Sequence, residues 1–183
     1  MFFNIQRFAA VNELPSNLTI YECYHEGNRY VGLVTIDLPE FSNILTDING
    51  AGIAGDFSMP SPGMLEDMEI TLHWHTPQSD VTFLLGHQAH ELTLMGSQNV
   101  YDSGTGKFRA QPIKIMLRGV PHKLTLGKFE RASETDTENS LGIDYIKISI
   151  DGSEVIEYDK FNFVFRVNGQ DFMAGTRTAI GRN

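Results

Sequence analysis

LGIDYIKISIDGSEVIEYDKFNFVFRVNGQDFMAGTRTAIG, residues Leu141 to Gly181, sets two β-turn signals between alternating apolar residues. Ile146, Ile148 and Ile150 fall on one face of a strand, because side chains of a strand repeat with period two. Asp151-Gly152 then supplies the pair of residues that tolerates positive φ in a tight hairpin turn. Phe161, Phe163, Phe165 and Val167 alternate up to a second such pair, Asn168-Gly169. No catalytic group interrupts this pattern, which reads as sheet built for assembly.

Upstream, Glu66 to His75 alternates most cleanly: Met68, Ile70, Leu72 and Trp74 point one way, and Asp67, Glu69, Thr71, His73 and His75 the other. One face is core and the other is wet. Thr76-Pro77 reads as an N-cap with Pro at the first helical position, opening a short helix through Val81, Leu84 and Leu85 to about Gly86. It is the one helix expected. Leu18 to Leu38 reads strand, turn, strand around Glu26-Gly27-Asn28, with Pro39 as the stop. Asn43 to Ile48 is a further strand, and Asn49 to Gly63, rich in Gly, Pro and Ser, reads as a loop. Strands follow at about Glu91 to Tyr101, Phe108 to Arg118 and His122 to Phe129, with Gly119-Val120-Pro121 as a connection. Arg131 to Ser140, RASETDTENS, reads as an acidic loop or flexible insert. The fold class is therefore mainly β, two packed antiparallel sheets as a sandwich or partly closed barrel, with one short flanking α-helix.

The 183 residues suffice for one domain with a sizeable core, and 41% apolar with 20% charged residues is ordinary for a globular chain. Cys23 stands alone, so an intrachain disulfide or a Cys-based zinc site is unsupported. The start, MFFNIQRFAAVN, lacks the basic n-region and long apolar run of a signal peptide. Its Phe2, Phe3, Ile5 and Phe8 suit an arm packed on this subunit or a neighbour. No run approaches the roughly 20 apolar residues needed to span a bilayer. The net charge of −9 opposes a nucleic-acid grip, since phosphate binding draws on clustered Lys and Arg. A passing polyanion would meet repulsion and slide.

Constellations that could carry chemistry fail on context. Gly50-Ala51-Gly52-Ile53-Ala54-Gly55 has the spelling G-x-G-x-x-G, but Pro60 and Pro62 deny it the helix that a dinucleotide site requires. His73 and His75 share a strand face, and His87 and His90 stand i,i+3, without HExxH or a fixed carboxylate ligand. No G-x-S-x-G elbow accompanies the Ser, His and Asp residues. No catalytic, cofactor-binding or metal residue is assigned.

The C-terminal stretch resembles the end of the major tail tube protein of contractile-tailed bacteriophages. The matching elements are Ile150-Asp151-Gly152, Tyr158-Asp159, Asn162, Val167-Asn168-Gly169-Gln170-Asp171 and Ile180-Gly181. The likeness extends back in order through Leu126-Gly127, Leu117-Arg118-Gly119, the Trp74 strand, Gly50 to Gly55, and Tyr30-Val31-Gly32 to Leu38-Pro39. It covers roughly residues 17 to 181, so the expected organisation is an N-terminal arm over 1–16 and a single tail-tube β domain over 17–183. The resemblance implies the phage tail tube fold and a structural, non-enzymatic role in a virion tail or an R-type bacteriocin particle, assembled in the host bacterial cytoplasm. It implies homo-hexameric rings stacked into a hollow tube, with tail sheath, tape-measure and baseplate proteins as partners and DNA passing without specific binding. It places the glycine-rich loop at the junction between rings, which makes Ile53, Phe57 and Met59 the stacking candidates. Asp67, Glu69 and His73 are the candidates for a wet face or the lumen. The rival reading is a monomeric β-sandwich that binds a carbohydrate or small ligand, drawn from Trp74 and the tyrosines.

Overall fold

A computed structural model describes residues 13–182 apart from 33, 51, 53, 77 and 78. The strands are β1 (Glu13–His25), β2 (Arg29–Tyr30), β3 (Val34–Asp37), β4 (Asn43–Ile48), β5 (Phe57–Leu65), β6 (Met68–Trp74), β7 (His90–Asp102), β8 (Lys107–Thr125), β9 (Thr137–Ile150), β10 (Ser153–Asp159), β11 (Val164–Val167) and β12 (Gln170–Asp171). Two helices join them, α1 (Ser79–Phe83) after β6 and α2 (Ala174–Ala179) near the C-terminus. Every pairing is antiparallel. One sheet runs β12-β11-β10-β9-β8-β7-β1-β2 with β6 and β3 branching from it, and β4 with β5 forms a second sheet of two strands.

The branch at β9 makes two layers out of one sheet. Its first half, Thr137 to Ile143, pairs with β6, whereas its second half, Tyr145 to Ile150, pairs with β10. The register of β8 against β9 shifts where Arg118 and Gly119 face Tyr145 and Ile143, leaving Asp144 as the extra residue. A bulge of this kind bends a strand and sharpens its twist. Beyond it β8 and β9 turn with β6 and β3 over the layer of β1, β7 and β10. Gly119 permits the bend, because a Cβ there would lie 2.8 Å from the Gly142 carbonyl oxygen. One core results, with Ile70, Leu72 and Trp74 from one layer against Leu92, Leu94, Leu117 and Ile146 from the other. The seam between β1 and β3 stays open, bridged by the Tyr21 hydroxyl donating to the Val34 carbonyl at 2.5 Å.

Several local expectations are corrected. Phe57 to Gly63 is strand and not loop: it belongs to β5, which tolerates Pro60 and Pro62 because a two-stranded sheet has an outer edge needing no N–H. Residues 107–125 form one bent strand through Gly119-Val120-Pro121, where two strands were expected. The supposed insert at 131–140 ends in β9, with Thr135, Thr137, Asn139 and Ser140 all buried. Hydroxyl and amide bonds make that burial tolerable: Trp74 Nε1 donates to Asn139 Oδ1 at 3.0 Å, and Thr137 Oγ1 to the Leu126 carbonyl at 3.0 Å. Phe161 and Phe163 lie in a turn before β11, with Phe163 at φ 53°. The expected helix after Trp74 is short, and α2 is an addition to it.

Candidate assembly surfaces

The hairpin of β4 and β5 stands apart from the main sheet. Leu45 faces Pro60, Thr46 faces Met59, Asp47 faces Ser58 and Ile48 faces Phe57, with an irregularity between Asn43 and Leu45. Ser58 Oγ donates to Asp47 Oδ1 at 2.6 Å across the pair. Ile44, Leu45, Phe57 and Met59 are all exposed, Phe57 at 53% and Met59 at 47%. A hairpin alone in water is marginally stable, and apolar residues on it gain nothing until something covers them. Of the expected stacking residues, the structure brings Phe57 and Met59 together on one face of β5; Ile53 lies outside the described residues.

A second surface is a three-stranded flap. β7 pairs with β1 on one side and β8 on the other out to Asp102, whereas β9 stops at Ile150 opposite Ile113. Among the described residues, β1 from 13 to 22 and β8 from 107 to 111 therefore lack an outer strand partner. Leu14, Leu18, Ile20 and Phe108 are exposed on these two strands. Arg109 ties the flap together, its guanidinium reaching Glu13 at 3.2 Å and Asp151 at 3.1 Å. Beside the β1 edge lies a groove of about 340 Å³ bordered by Leu18, Ile20, Tyr21, Tyr30, Val34 and His75.

The C-terminal motif is a hydrogen-bonded lock. Asp159 accepts from the backbone N–H groups of Phe161 and Asn162 and from the Asn162 amide, which sets the turn that carries Phe163. Asp171 receives Arg177 at 2.6 Å and the Met173 N–H at 2.9 Å. Those bonds, Arg177 first, hold its carboxyl below the usual carboxylate range. Arg177 also donates to the Phe163 carbonyl at 2.7 Å, so α2 is fastened to the turn before β11.

The three candidates for a wet face, Asp67, Glu69 and His73, are each in contact with a polar partner: Lys160, His122, and Asp37 with Glu138. Lys160 Nζ sits 2.7 Å from Asp67, whose carboxyl is lowered chiefly by that bond. His122 approaches Glu69 at 3.3 Å, and His73 lies 2.9 Å from Asp37 and 3.5 Å from Glu138. On β9 to β11 the charges alternate in sign: Lys147 meets Glu154 at 2.6 Å and Arg166 pairs with Glu157. Among the described residues no group of three or more His, Cys, Asp and Glu is placed to hold a metal ion. His90 is buried against His25 at 3.1 Å, under α1 and away from the sheet face of His73. Burial pushes the Cys23 thiol up to about 12. Among the described residues no helix is long and apolar enough to cross a membrane.

Residues 15–181 match the family described as phage tail tube protein FII. The chain belongs to that family. This tail tube protein is 26% identical over 175 residues to the tail tube protein of Escherichia phage P2, covering 92% of this chain and 98% of the relative. It is 20% identical over 170 residues to the major tail tube protein of Serratia phage KSP20, with 86% and 91% covered. Among solved structures it is similar to a chain of an extracellular contractile injection system, the PVC sheath/tube terminator in the extended state. That likeness has a TM-score of 0.54 at 13% identity and covers 74% of this chain and 97% of the other, a likeness of fold. Membership in a structural tail tube family implies a non-enzymatic role and does not favour the monomeric ligand-binding module. Sequence reasoning missed the free edge of β1 and the strand character of β5. The signal was present in Leu18 and Ile20 beside Ser16 and Asn17, an apolar strand with no sequence neighbour to pair its outer side.

Proposed function

We propose that this tail tube protein forms six-membered rings that stack into the hollow inner tube of a contractile tail or related particle. DNA or a tape-measure protein passes through it, the sheath surrounds it, and a baseplate closes its end. The observation that carries the reading is the β4–β5 hairpin outside the main sheet, together with a flap whose two strand edges lack a partner among the described residues, in a chain of the tail tube family. Ring closure removes such edges, because each is completed by a neighbour and not left as a template for uncontrolled pairing. Stacking is a separate head-to-tail contact, and such contacts extend without closing. The hairpin tip, with Ile53, Phe57 and Met59, is its proposed site, and the arm expected over 1–16 is proposed for the residues before β1, since Glu13 to Ser16 belong to that strand. Asp67, Glu69 and His73 belong to a water-facing wall of the ring; with each paired to an opposite charge or a histidine, the wall there is mixed in charge. Assembly takes place in the host cytoplasm.

Electron microscopy of the purified chain over a range of salt and concentration tests this. Rings of six with a central hole, alone or in stacks, are expected, and only monomers under every condition would overturn the reading. Phe57→Asp with Met59→Asp is expected to leave rings and abolish stacks; tubes of normal length from that variant would remove the hairpin tip from the stacking contact.

A further inference from the structure

We infer that β4, and not β5, is the edge through which the hairpin of one copy joins the sheet of the next, and that it pairs with residues 16–22 of that neighbour's β1. The inference rests on the ring reading and adds to it which strand meets which.

The prolines of β5 decide the donor side. Proline brings no N–H to a ladder, so within a sheet it occupies positions whose N–H would point away from the partner strand. Pro60 faces Leu45 of β4, so its missing N–H lies on the outer side of β5. Pro62 lies where the register slips, between Pro60 opposite Leu45 and Leu65 opposite Asn43, and brings no donor either. The outer edge of β5 thus lacks a donor at Pro60, the way natural edges are blunted against pairing. In an antiparallel pair, directly opposed residues send their N–H and C=O the same way relative to the pair, both inward or both outward. Leu45, opposite Pro60, and Asp47, opposite Ser58, therefore present complete outward amide groups. The hairpin has one blunted edge and one open edge.

The acceptor follows from what is unpartnered. Among the described residues β1 is free on its outer side up to the start of β2 at Tyr24, and Pro15 removes a donor near its beginning. That leaves 16–22, seven residues with an irregular register against β7 on either side of Leu18, against the six of β4. Both are about 20 Å long at roughly 3.3 Å per residue. The groove of about 340 Å³ runs along this edge, with Leu18 and Ile20 on its border, so an incoming strand finds room and apolar cover for Ile44 and Leu45. The competing edge, β8 from 107 to 111, is shorter, and its Arg109 is held by Glu13 and Asp151 of the same chain. Pairing at β1 also brings cover to the most exposed large apolar residue of that strand, Ile20 at 63%.

The test is disulfide trapping in the full-length chain, whose single native cysteine, Cys23, is buried. Leu45→Cys is combined in turn with Leu18→Cys, Ile20→Cys and, for the rival edge, Phe108→Cys; Pro60→Cys with Ile20→Cys reports on β5. After assembly and oxidation, denaturing gels without reductant are expected to show ladders up to six chains for at least one of the two β1 pairs. At least tenfold less is expected for the Phe108→Cys and Pro60→Cys combinations. Leu45→Pro is expected to keep the thermal midpoint of the unassembled chain and to shift the population from rings to monomers. Rings that form normally while ladders come from Phe108→Cys or Pro60→Cys, or from no pair, would overturn the inference and leave the ring reading standing. Absence of rings from the unaltered chain would overturn both.

Discussion

Replacing Gly119 by Ala attacks the point where β8 and β9 pass from one layer to the other. The added methyl would stand 2.8 Å from the Gly142 carbonyl oxygen and 3.3 Å from Leu141 Cβ. Both obstacles are backbone or backbone-attached, and Leu141 is fully buried, so relief requires moving β9 itself. Overpacking of this kind costs about 1–3 kcal/mol. A chain of this size loses about 2–4 °C per kcal/mol, so the midpoint should fall by roughly 2–12 °C. Gly142→Ala is the internal control. Its methyl would lie 2.2 Å from the His122 imidazole, a half-exposed ring that can rotate away and forfeit only its 3.3 Å approach to Glu69. A surface pair of that sort is worth about 0–1 kcal/mol, so a shift of a few degrees at most is expected, and His122→Ala should abolish it. The assay is thermal unfolding by circular dichroism at a concentration where the chain is unassembled, because association raises the midpoint by mass action. A Gly119→Ala protein as stable as the parent, or a Gly142→Ala protein equally impaired, would refute the account of the bend.

Two further outcomes follow from the electrostatics. Asp171→Asn should lower stability most at neutral pH, because a carboxyl whose folded pKa is depressed contributes fully above its unfolded value of about 3.9 and loses that contribution as pH falls through the folded value. The gap between parent and variant in denaturant midpoint should therefore close below about pH 4; a gap independent of pH would contradict the Arg177 pairing. Cys23, buried and pushed up to about 12, should resist thiol reagents at pH 8 in the folded chain and react at the rate of unfolding; prompt labelling would show the β1–β7 pairing to be open there.

The parts of the fold written in local chemistry were readable from sequence. Asp151-Gly152 and Asn168-Gly169 adopt φ of 53° and 77°, and 50° and 81°, as such turn pairs require. Met68, Ile70, Leu72 and Trp74 are buried, as their alternation implied. What escaped depends on distant neighbours. Pro60 and Pro62 argue against a strand until β4 is known to stand alone beside β5. Thr135 to Ser140 looks solvated until Trp74, His75 and Leu126 are seen to satisfy it. Asp159 pulls Phe161 and Asn162 into a turn by side-chain bonds that no alternation of phenylalanines reveals. α2, written AGTRTA, carries a Gly and two Thr of low helix propensity and is fastened by Arg177 to Asp171 and the Phe163 carbonyl. In the Gly50 to Gly63 stretch, the apolar residues Phe57 and Met59 are exposed on β5, and at the β1 edge the local mark was no more than Leu18 and Ile20 beside Ser16 and Asn17.

The sharing of β9 between layers also bears on how the chain is made. β6 waits for β9 as its neighbour in the sheet, and Ile146 follows Trp74 by 72 residues. At about 5–20 residues per second, roughly 4–14 s of synthesis separate the two. During that interval β6 lacks the strand that pairs with it on the β9 side and its core lacks Ile146, beside a β7–β8 hairpin able to pair with any strand it meets. Where several ribosomes translate one message, such a chain would meet its own kind first. Slower synthesis between β6 and β9 is therefore expected to lower the yield of folded protein.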